Sequence, residues 1–278
     1  MSMRSGFDTL LCYRLRGSMV CEGSMASEPL IALFNGLFKA LRACALAGCW
    51  IACAHAQEGG DLQVQILYAY HTEDANHLLE IKQTLSNEIQ KEKASAATRY
   101  HLAHADWRLA QLTGTARKDQ TQQALQECVD QLNVLLEAEK FSVEGLVLQS
   151  ICYSDLANFK KMQSALLRTR AAARLVEARR IAPRNPRVKW IFALAKLERI
   201  SPADAIPREL PEAAETFEHS PATSNESPCW GHAETYLRYG HELRLRGDVL
   251  GARNWIEKAL IAAPDYKSAE SELALLGR

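Results

Sequence analysis

The sequence predicts an all-α protein in which antiparallel helical hairpins stack side by side. Apolar residues recur at spacings of three and four along most of the chain after Gln57, which is the period of one helical face. No stretch of comparable length alternates apolar and polar residues as a half-buried β-strand would. Short polar breaks such as residues 113–115 separate the helical segments, which favours sequential hairpins.

Composition limits the class of protein. The 278 residues include 33 basic and 33 acidic side chains, and 47% of the residues are hydrophobic. These values are typical of a globular protein and exclude wholesale disorder. Because the formal net charge is zero, nothing favours a nucleic-acid partner, and none is predicted.

Residues 1–56 predict an export signal that is removed from the mature chain. An apolar run of 12 residues, 43–54, follows Lys39 and Arg42, and small residues around Ala56 provide a cleavage pattern. This run is shorter than the roughly 20 apolar residues of a membrane span. A buried first helix is the alternative interpretation.

The same segment contains a second candidate signal. Residues 46–49, Leu-Ala-Gly-Cys, resemble a bacterial lipobox, in which Cys49 would carry a lipid. Cleavage after Ala56 predicts a periplasmic protein, whereas lipidation of Cys49 predicts a membrane-anchored lipoprotein. Both alternatives predict export, and only the second predicts association with a membrane.

Three cysteines remain after cleavage at Ala56, namely Cys128, Cys152 and Cys229. Because the number is odd, they cannot all pair within one chain. Cys128 and Cys152 lie on apolar helix faces, where cysteine often serves as a small hydrophobic residue. An oxidising compartment would allow one disulfide, but the spacing does not select a pair.

Predicted helices follow one another through residues 57–200, which we interpret as a degenerate helical-repeat region. Residues 201–228 differ, because they hold five of the nine prolines in the chain. Proline fixes φ and blocks long helices, so this segment is predicted to be an exposed, mobile linker or flap. One short helix around 212–218 is compatible with its sequence.

The clearest internal pattern lies in the last segment, 229–278. It reads Tyr236-x2-Tyr239-Gly240-x2-Leu243, then Gly247-Asp248, Ala252, Ile256, Ala259 and Pro264. Gly240 and Ala252 are small, as close crossing of two antiparallel helices requires. Gly247 permits the left-handed backbone that ends a helix, and Asp248 can cap the next one. Pro264 would end the second helix.

This spacing resembles the tetratricopeptide repeat (TPR), a 34-residue helical hairpin. The small residues and the proline match, and the four departures exchange one apolar or aromatic residue for another. The resemblance implies a TPR-like α-solenoid whose first helices line an inner face that binds peptides. Residues 266–276 would then form a terminal capping helix.

Weaker copies of the pattern occur earlier. Residues 171–183 have the spacing of a second helix, and 190–197 have the shape of a first helix. The partner of the latter should centre near Ile206, where Pro202 and Pro207 intrude. Residues 100–107 are another first-helix candidate, with a partner at about 120–139.

Motifs for catalysis and metal binding are missing from the sequence. His241-Glu242 begins like an HExxH zinc motif, but Leu245 occupies the place of the second histidine. His101 and His104 could share a helix face, but two ligands are too few for a zinc site. We therefore predict no catalytic residue, no metal and no cofactor.

Basic residues concentrate between Arg168 and Lys189. This cluster predicts either the solvated face of a helix or an electropositive patch for an acidic peptide. Tryptophans at helical spacing beside alanines are interpreted mainly as interhelical packing, with ligand binding as the alternative.

The TPR resemblance predicts a non-catalytic scaffold or adaptor that binds protein or peptide partners in the bacterial envelope. Candidate binding residues, at outward positions of first helices, are Glu234, Arg238, His241, Arg244, Glu198 and Arg199. Two alternatives remain open. One is a helical enzyme with a cleft near 201–228, and the other is a periplasmic protein that binds a lipid or small ligand.

Overall fold

The computed structural model describes residues 62–91, 95–139, 142–219 and 228–277. Within these ranges the regular structure is entirely helical, which confirms the predicted all-α class. The helices are α1 (62–71), α2 (Ala75–Gln90), α3 (Ala96–Thr113), α4 (Lys118–Ala138), α5 (Val143–Phe159), α6 (Ser164–Ile181), α7 (Pro186–Leu197), α8 (Glu209–His219), α9 (His232–Leu245), α10 (Val249–Ala262) and α11 (Lys267–Leu275). The predicted signal, lipobox and cleavage sites lie outside the described residues.

Consecutive helices form the predicted hairpins. Helices α3 and α4, α5 and α6, α7 and α8, and α9 and α10 pack as neighbouring pairs. The first helix α1 joins α2 and α3 in a separate apolar cluster. Short connections between packed neighbours produce the stacked arrangement that the sequence predicts.

Polar side chains cap the N-termini of several of these helices. Ser95 and Ser142 each accept a hydrogen bond from a backbone N–H three residues later, at 3.0 and 3.3 Å. Asn185 accepts from the N–H of Arg187 at 2.9 Å, and Pro186 occupies the first turn. Such caps satisfy N–H groups that have no partner within the helix, so they define where α3, α5 and α7 begin.

The hairpin of α9 and α10 has the predicted geometry. A Cβ added at Gly240 would lie 2.6 Å from Cγ1 of Ile256 and 3.0 Å from the carbonyl oxygen of Ala252. Gly247 turns the chain with φ of 83°, and the Asp248 side chain caps α10 by accepting from Gly251 N at 2.9 Å. The two helices therefore cross at the small residues.

The structure contradicts part of the prediction for residues 201–228. Helix α8 occupies Glu209–His219, and Leu210, Ala213 and Ala214 are fully buried. It is the second helix of the hairpin that begins with α7, displaced beyond Pro207 because proline cannot continue a helix. The expectation of an exposed flap is wrong for 209–219, whereas the predicted short helix is found. Residues 220–227 lie outside the description.

A disulfide joins Cys128 of α4 to Cys152 of α5. Both residues are fully buried in the main apolar cluster, and their Cα atoms are 6.4 Å apart. Cys229 is the free cysteine of the described chain. The bond links two consecutive hairpins, because α4 ends one and α5 begins the next.

Four basic residues of the cluster from Arg168 to Lys189 have acidic partners within the described chain. Arg168, Arg174 and Lys189 each form an ion pair with a glutamate. Arg187 is buried and donates to the backbone oxygens of Trp230 and Pro228. Part of the cluster is therefore structural or paired, and the rest is exposed without an ion pair in the described chain, namely Arg170, Arg179, Arg180 and Arg184.

None of the helices in the described ranges has the length and apolar character needed to span a membrane.

Candidate protein-binding groove

An open groove of about 910 Å³ runs along three first helices of the stack. Helices α3, α5, α6 and α7 all contribute lining residues. Its lining residues are Trp107, Gln111, Ser150, Ile151, Ser154, Asp155, Asn158, Arg168, Ala171, Ala172, Leu175, Val176, Trp190, Ile191, Phe192, Leu194, Ala195, Lys196, Glu198 and Arg199. We call this surface the α5–α7 groove.

The floor of the α5–α7 groove is apolar. Ile151, Leu175 and Trp190 are buried parts of the core that reach its surface. Val176 projects from α6 with 60% of its surface exposed. An apolar side chain this exposed within a concave, apolar surface is typical of a site that a partner covers.

One half-buried carboxylate lies within this apolar surface. Oδ2 of Asp155 accepts a hydrogen bond from Nε1 of Trp107 at 3.1 Å. Desolvation raises the pKa of Asp155 to about 6, although the hydrogen bond from Trp107 acts in the opposite direction. The negative charge of Glu198 adds to the rise. Within the described chain, Asp155 forms no ion pair with a basic residue.

Charged residues at the C-terminal end of α7 form the rim. Glu198 lies 3.5 Å from Arg168, which also donates to Asn158 at 2.8 Å. Lys196 forms an ion pair with Glu209 of α8. The exposed Arg199 side chain has no ion pair within the described residues. The predicted site residues Glu198 and Arg199 thus both line the α5–α7 groove.

A second cavity of about 320 Å³ adjoins the first. It shares Gln111, Trp190 and Leu194 with the α5–α7 groove, and helices α9 and α11 close its other side. Three predicted site residues, Glu234, Arg238 and His241, line this second cavity.

A buried ion pair forms the wall between α3 and α9. The Arg108 side chain is fully buried and donates to Oε1 of Glu234. It also donates to Nε2 of His104 at 3.1 Å and to Oε1 of Gln111 at 2.9 Å. Its guanidinium carbon lies 4.1 Å from the ring centroid of Tyr70. Arg108 therefore has partners for its charge and its planar face.

Glu234 does not occupy the outward position that the TPR resemblance predicts for it. Only 6% of the residue is exposed, and Oε2 accepts from the N–H of Gly231 at 2.9 Å at the start of α9. Burial favours the neutral acid, but the Arg108 guanidinium and His71 hold the pKa of Glu234 well below its ordinary value. The residue stabilises the fold, and the prediction of an exposed contact is wrong in its geometry.

The other predicted residues of α9 are engaged in ion pairs. Arg238 lies 2.8 Å from Glu242. His241 and Arg244 both contact Oε1 of Glu272 on α11, which lines the second cavity. The two pairs with Glu272 attach the last helix to α9, whereas the Arg238 pair lies within α9. A role in binding remains a prediction for Arg238, His241 and Arg244.

Aromatic residues fill the junction between the first and last hairpins. Trp230 is 1% exposed and donates from Nε1 to the Tyr100 hydroxyl at 2.7 Å. Its ring centroid lies 5.4 Å from that of Trp107 and 5.9 Å from that of Trp190. Trp230 is a packing residue, whereas Trp107 and Trp190 belong to the core and also line the α5–α7 groove.

Asp155 and Arg108, the residues that matter most in this region, are not among the predicted site residues. Nothing in their local pattern distinguishes them from surface charges. The sequence signal that was available is their place on predicted helices next to core positions such as Leu156 and Trp107. Their partners lie 48 and 126 residues away, so local spacing offers no means of pairing them.

The predicted cleft near 201–228 can be compared with the structure only at its described residues. Around Arg208, Glu209 and Glu212 the structure has a cavity of only about 50 Å³. Among the described residues, no group of three or more histidine, cysteine or acidic side chains is arranged to hold a metal ion. His104 is instead buried as a hydrogen-bond acceptor for Arg108.

Comparison with known proteins addresses the fold alone. No protein-family model matches the sequence, and no curated protein sequence matches it. Among solved structures, the chain is similar to the crystal structure of a thermophilic TPR protein in Thermus thermophilus. The two share 16% sequence identity with a TM-score of 0.51, over 80% of this chain and 98% of the other. The described chain has a TPR-like helical-repeat fold.

Proposed function

We propose that this protein is a non-catalytic scaffold that binds a peptide segment of a partner protein in the α5–α7 groove. The observation that carries the proposal is the groove itself, an apolar concavity of about 910 Å³ along the first helices. Stacked helical repeats form extended concave surfaces of this kind, and proteins with TPR folds generally use them for protein interactions. A helical or extended peptide with apolar side chains would cover Val176 and the neighbouring floor.

The chemistry of the lining supports binding in preference to catalysis. An enzyme site brings a nucleophile and a base, or several convergent acid–base groups, within hydrogen-bond reach. The described lining of the α5–α7 groove contains two carboxylates. Asp155 accepts a hydrogen bond from an indole that cannot accept a proton, and Glu198 pairs with Arg168. We therefore infer that the groove recognises its partner without transforming it.

We also propose that the protein acts after export. The pattern in residues 1–56 supports this, whether the mature chain begins after Ala56 or at a lipidated Cys49. The disulfide between Cys128 and Cys152 adds support, because such bonds persist mainly in oxidising compartments. Mass spectrometry of the mature N-terminus distinguishes the two processing routes, and an unprocessed chain that keeps Met1 would contradict both.

Site-specific photocrosslinking in the producing cells tests the binding surface. A benzophenone amino acid at Val176 should capture a partner protein. The matched control is the same substitution at Leu166, which is on the same helix and 53% exposed but does not line the groove. Equal capture from both positions, or none from Val176, would contradict the proposed surface.

A further inference from the structure

The α5–α7 groove contains one carboxylate, that of Asp155, without a basic partner in the described chain. Of the two carboxylates in the lining, Glu198 pairs with Arg168, whereas Asp155 has no basic partner within the described chain. The buried carboxylate of Glu234, elsewhere in the fold, is paired with Arg108. Asp155 is therefore the exception among these groups, and it lies on the proposed binding surface.

Within the described chain, none of the other helices that line the groove provides a counter-charge for Asp155. Helix α3 presents the neutral Trp107 and Gln111 to the groove, and α6 presents Arg168, which is engaged with Glu198 and Asn158. Helix α7 presents Lys196, Glu198 and Arg199, of which Lys196 is engaged with Glu209. Arg199 lines the groove without an ion pair to Asp155.

A partly desolvated carboxylate without a counter-charge is costly to keep ionised, and a cation that enters the site offsets that cost. The indole of Trp107 occupies one oxygen, Oδ2, and fixes the orientation of the carboxylate. Trp107 and Trp190 both line the groove, so a cation beside Asp155 would also meet aromatic surface. The arrangement complements a single positive charge on an otherwise apolar ligand.

We propose that the partner peptide carries one lysine or arginine side chain that pairs with Asp155, flanked by apolar residues that cover the groove floor. This inference rests on the proposed function of the groove and specifies the chemistry of its partner. The basic side chain supplies orientation and selectivity, and the apolar residues supply most of the buried area.

Selection from a displayed library of random 12-residue peptides tests this proposal with the full chain as bait. We expect the selected peptides to contain a lysine or arginine between apolar residues. A synthetic peptide of this type should bind the Asp155→Asn variant at least tenfold more weakly than the wild type. Asparagine keeps an oxygen that can accept from Trp107, so the substitution removes the charge with little change in shape.

Three control variants separate the possible causes of an effect. Glu177→Gln removes a carboxylate of α6 that pairs with Arg174 outside the groove lining, so it should change affinity less than twofold. Val176→Arg should block binding within the groove, whereas Leu166→Arg on the same helix should not. Circular dichroism shows whether the helices of each variant are intact.

The pH dependence of binding provides a second measurement. The peptide should bind the wild type about five- to tenfold more weakly at pH 5 than at pH 7.5, because protonation of Asp155 removes its charge. Lysine does not titrate in this range. No histidine is among the described lining residues of the groove, so Asp155→Asn should abolish this dependence.

The outcomes distinguish this inference from the proposed function. Selected apolar peptides that lack a basic residue, depend on Val176 and bind Asp155→Asn equally well would overturn the inference and leave the groove function intact. A failure to select any peptide that Val176→Arg blocks would overturn both.

Discussion

The Arg108 guanidinium donates a hydrogen bond to Oε1 of Glu234 and so joins helices α3 and α9 across 126 residues of sequence. In a simple solenoid each repeat contacts only its neighbours. Here an early first helix and a late one share a buried ion pair beside Tyr70 and Trp230. We expect this contact to make the stability of α3 and of α9 interdependent.

Removal of one partner of this pair should destabilise the whole fold. We expect Arg108→Met to lower the free energy of unfolding by about 3–5 kcal/mol, because it leaves the Glu234 carboxylate buried without its cation. The double variant Arg108→Met, Glu234→Leu should recover part of this loss. Urea unfolding of the two single variants and the double variant measures the coupling, and simple additivity would contradict it.

The stability of the fold should also fall in acid because of Glu234. Its pKa is depressed in the folded chain, so its contribution is fully present above the ordinary glutamate pKa and is lost as pH falls below it. Glu234→Gln should be less stable than the wild type at pH 7, and the difference should shrink toward pH 2. A constant difference from pH 7 to pH 2 would show that the charge of Glu234 is not the cause.

Asp155 should have the opposite effect on stability in the absence of a ligand. Its pKa in the folded chain is about 6, which is above the value of an unfolded chain, so ionisation on raising the pH from 4 to 7 disfavours the folded state. Asp155→Asn should match the wild type near pH 3.5 and exceed it by roughly 2 kcal/mol at pH 7.5. Thermal unfolding across this pH range measures the effect. Parallel curves would mean that Asp155 is not destabilised by desolvation.

The crossing at Gly240 leaves no room for a side chain. We expect Gly240→Ala to destabilise the chain by roughly 1–2 kcal/mol, since the added Cβ meets the carbonyl of Ala252 and overpacking outweighs the better helix propensity of alanine. Ile256→Ala in the same chain should relieve part of the clash. An increase in stability for Gly240→Ala alone would contradict the close crossing.

The disulfide between Cys128 and Cys152 should contribute to stability by restricting the unfolded chain. For a sequence separation of 24 residues, loop entropy gives about 3 kcal/mol. A reducing agent should lower the urea midpoint of the wild type and of Cys229→Ala but not of Cys152→Ala. A midpoint that is insensitive to the reductant in all three proteins would show that the bond does not form.

Much of the fold could be predicted from residue spacing. The hairpin at 232–262 follows from Gly240, Ala252 and the Gly247-Asp248 turn, because each of these residues meets a local geometric requirement. Helix α8 was harder to predict, since Pro202 and Pro207 disturb the expected position. It forms beyond them because Leu210 and Ala213 gain burial against the neighbouring helix, which a local pattern does not reveal.

The candidate site shows the limits of residue spacing more clearly. The TPR resemblance predicts that Glu198 and Arg199 face a partner, and both residues line the α5–α7 groove. The same analogy fails for Glu234, which is buried because its distant partner Arg108 compensates its charge. Periodicity identifies which face of a helix is polar but does not reveal which polar residue finds a buried partner.

Residue spacing is enough to define the helical class, the hairpin order and the position of the tightest crossing, because these depend on residues within one hairpin. Packing of distant helices is needed to show that α3, α5, α6 and α7 enclose an apolar groove, that Asp155 lies in it without a basic partner among the described residues, and that Arg108 neutralises Glu234. Those facts depend on charges and volumes brought together from distant parts of the chain, and their free energies are set by burial, which no local pattern specifies.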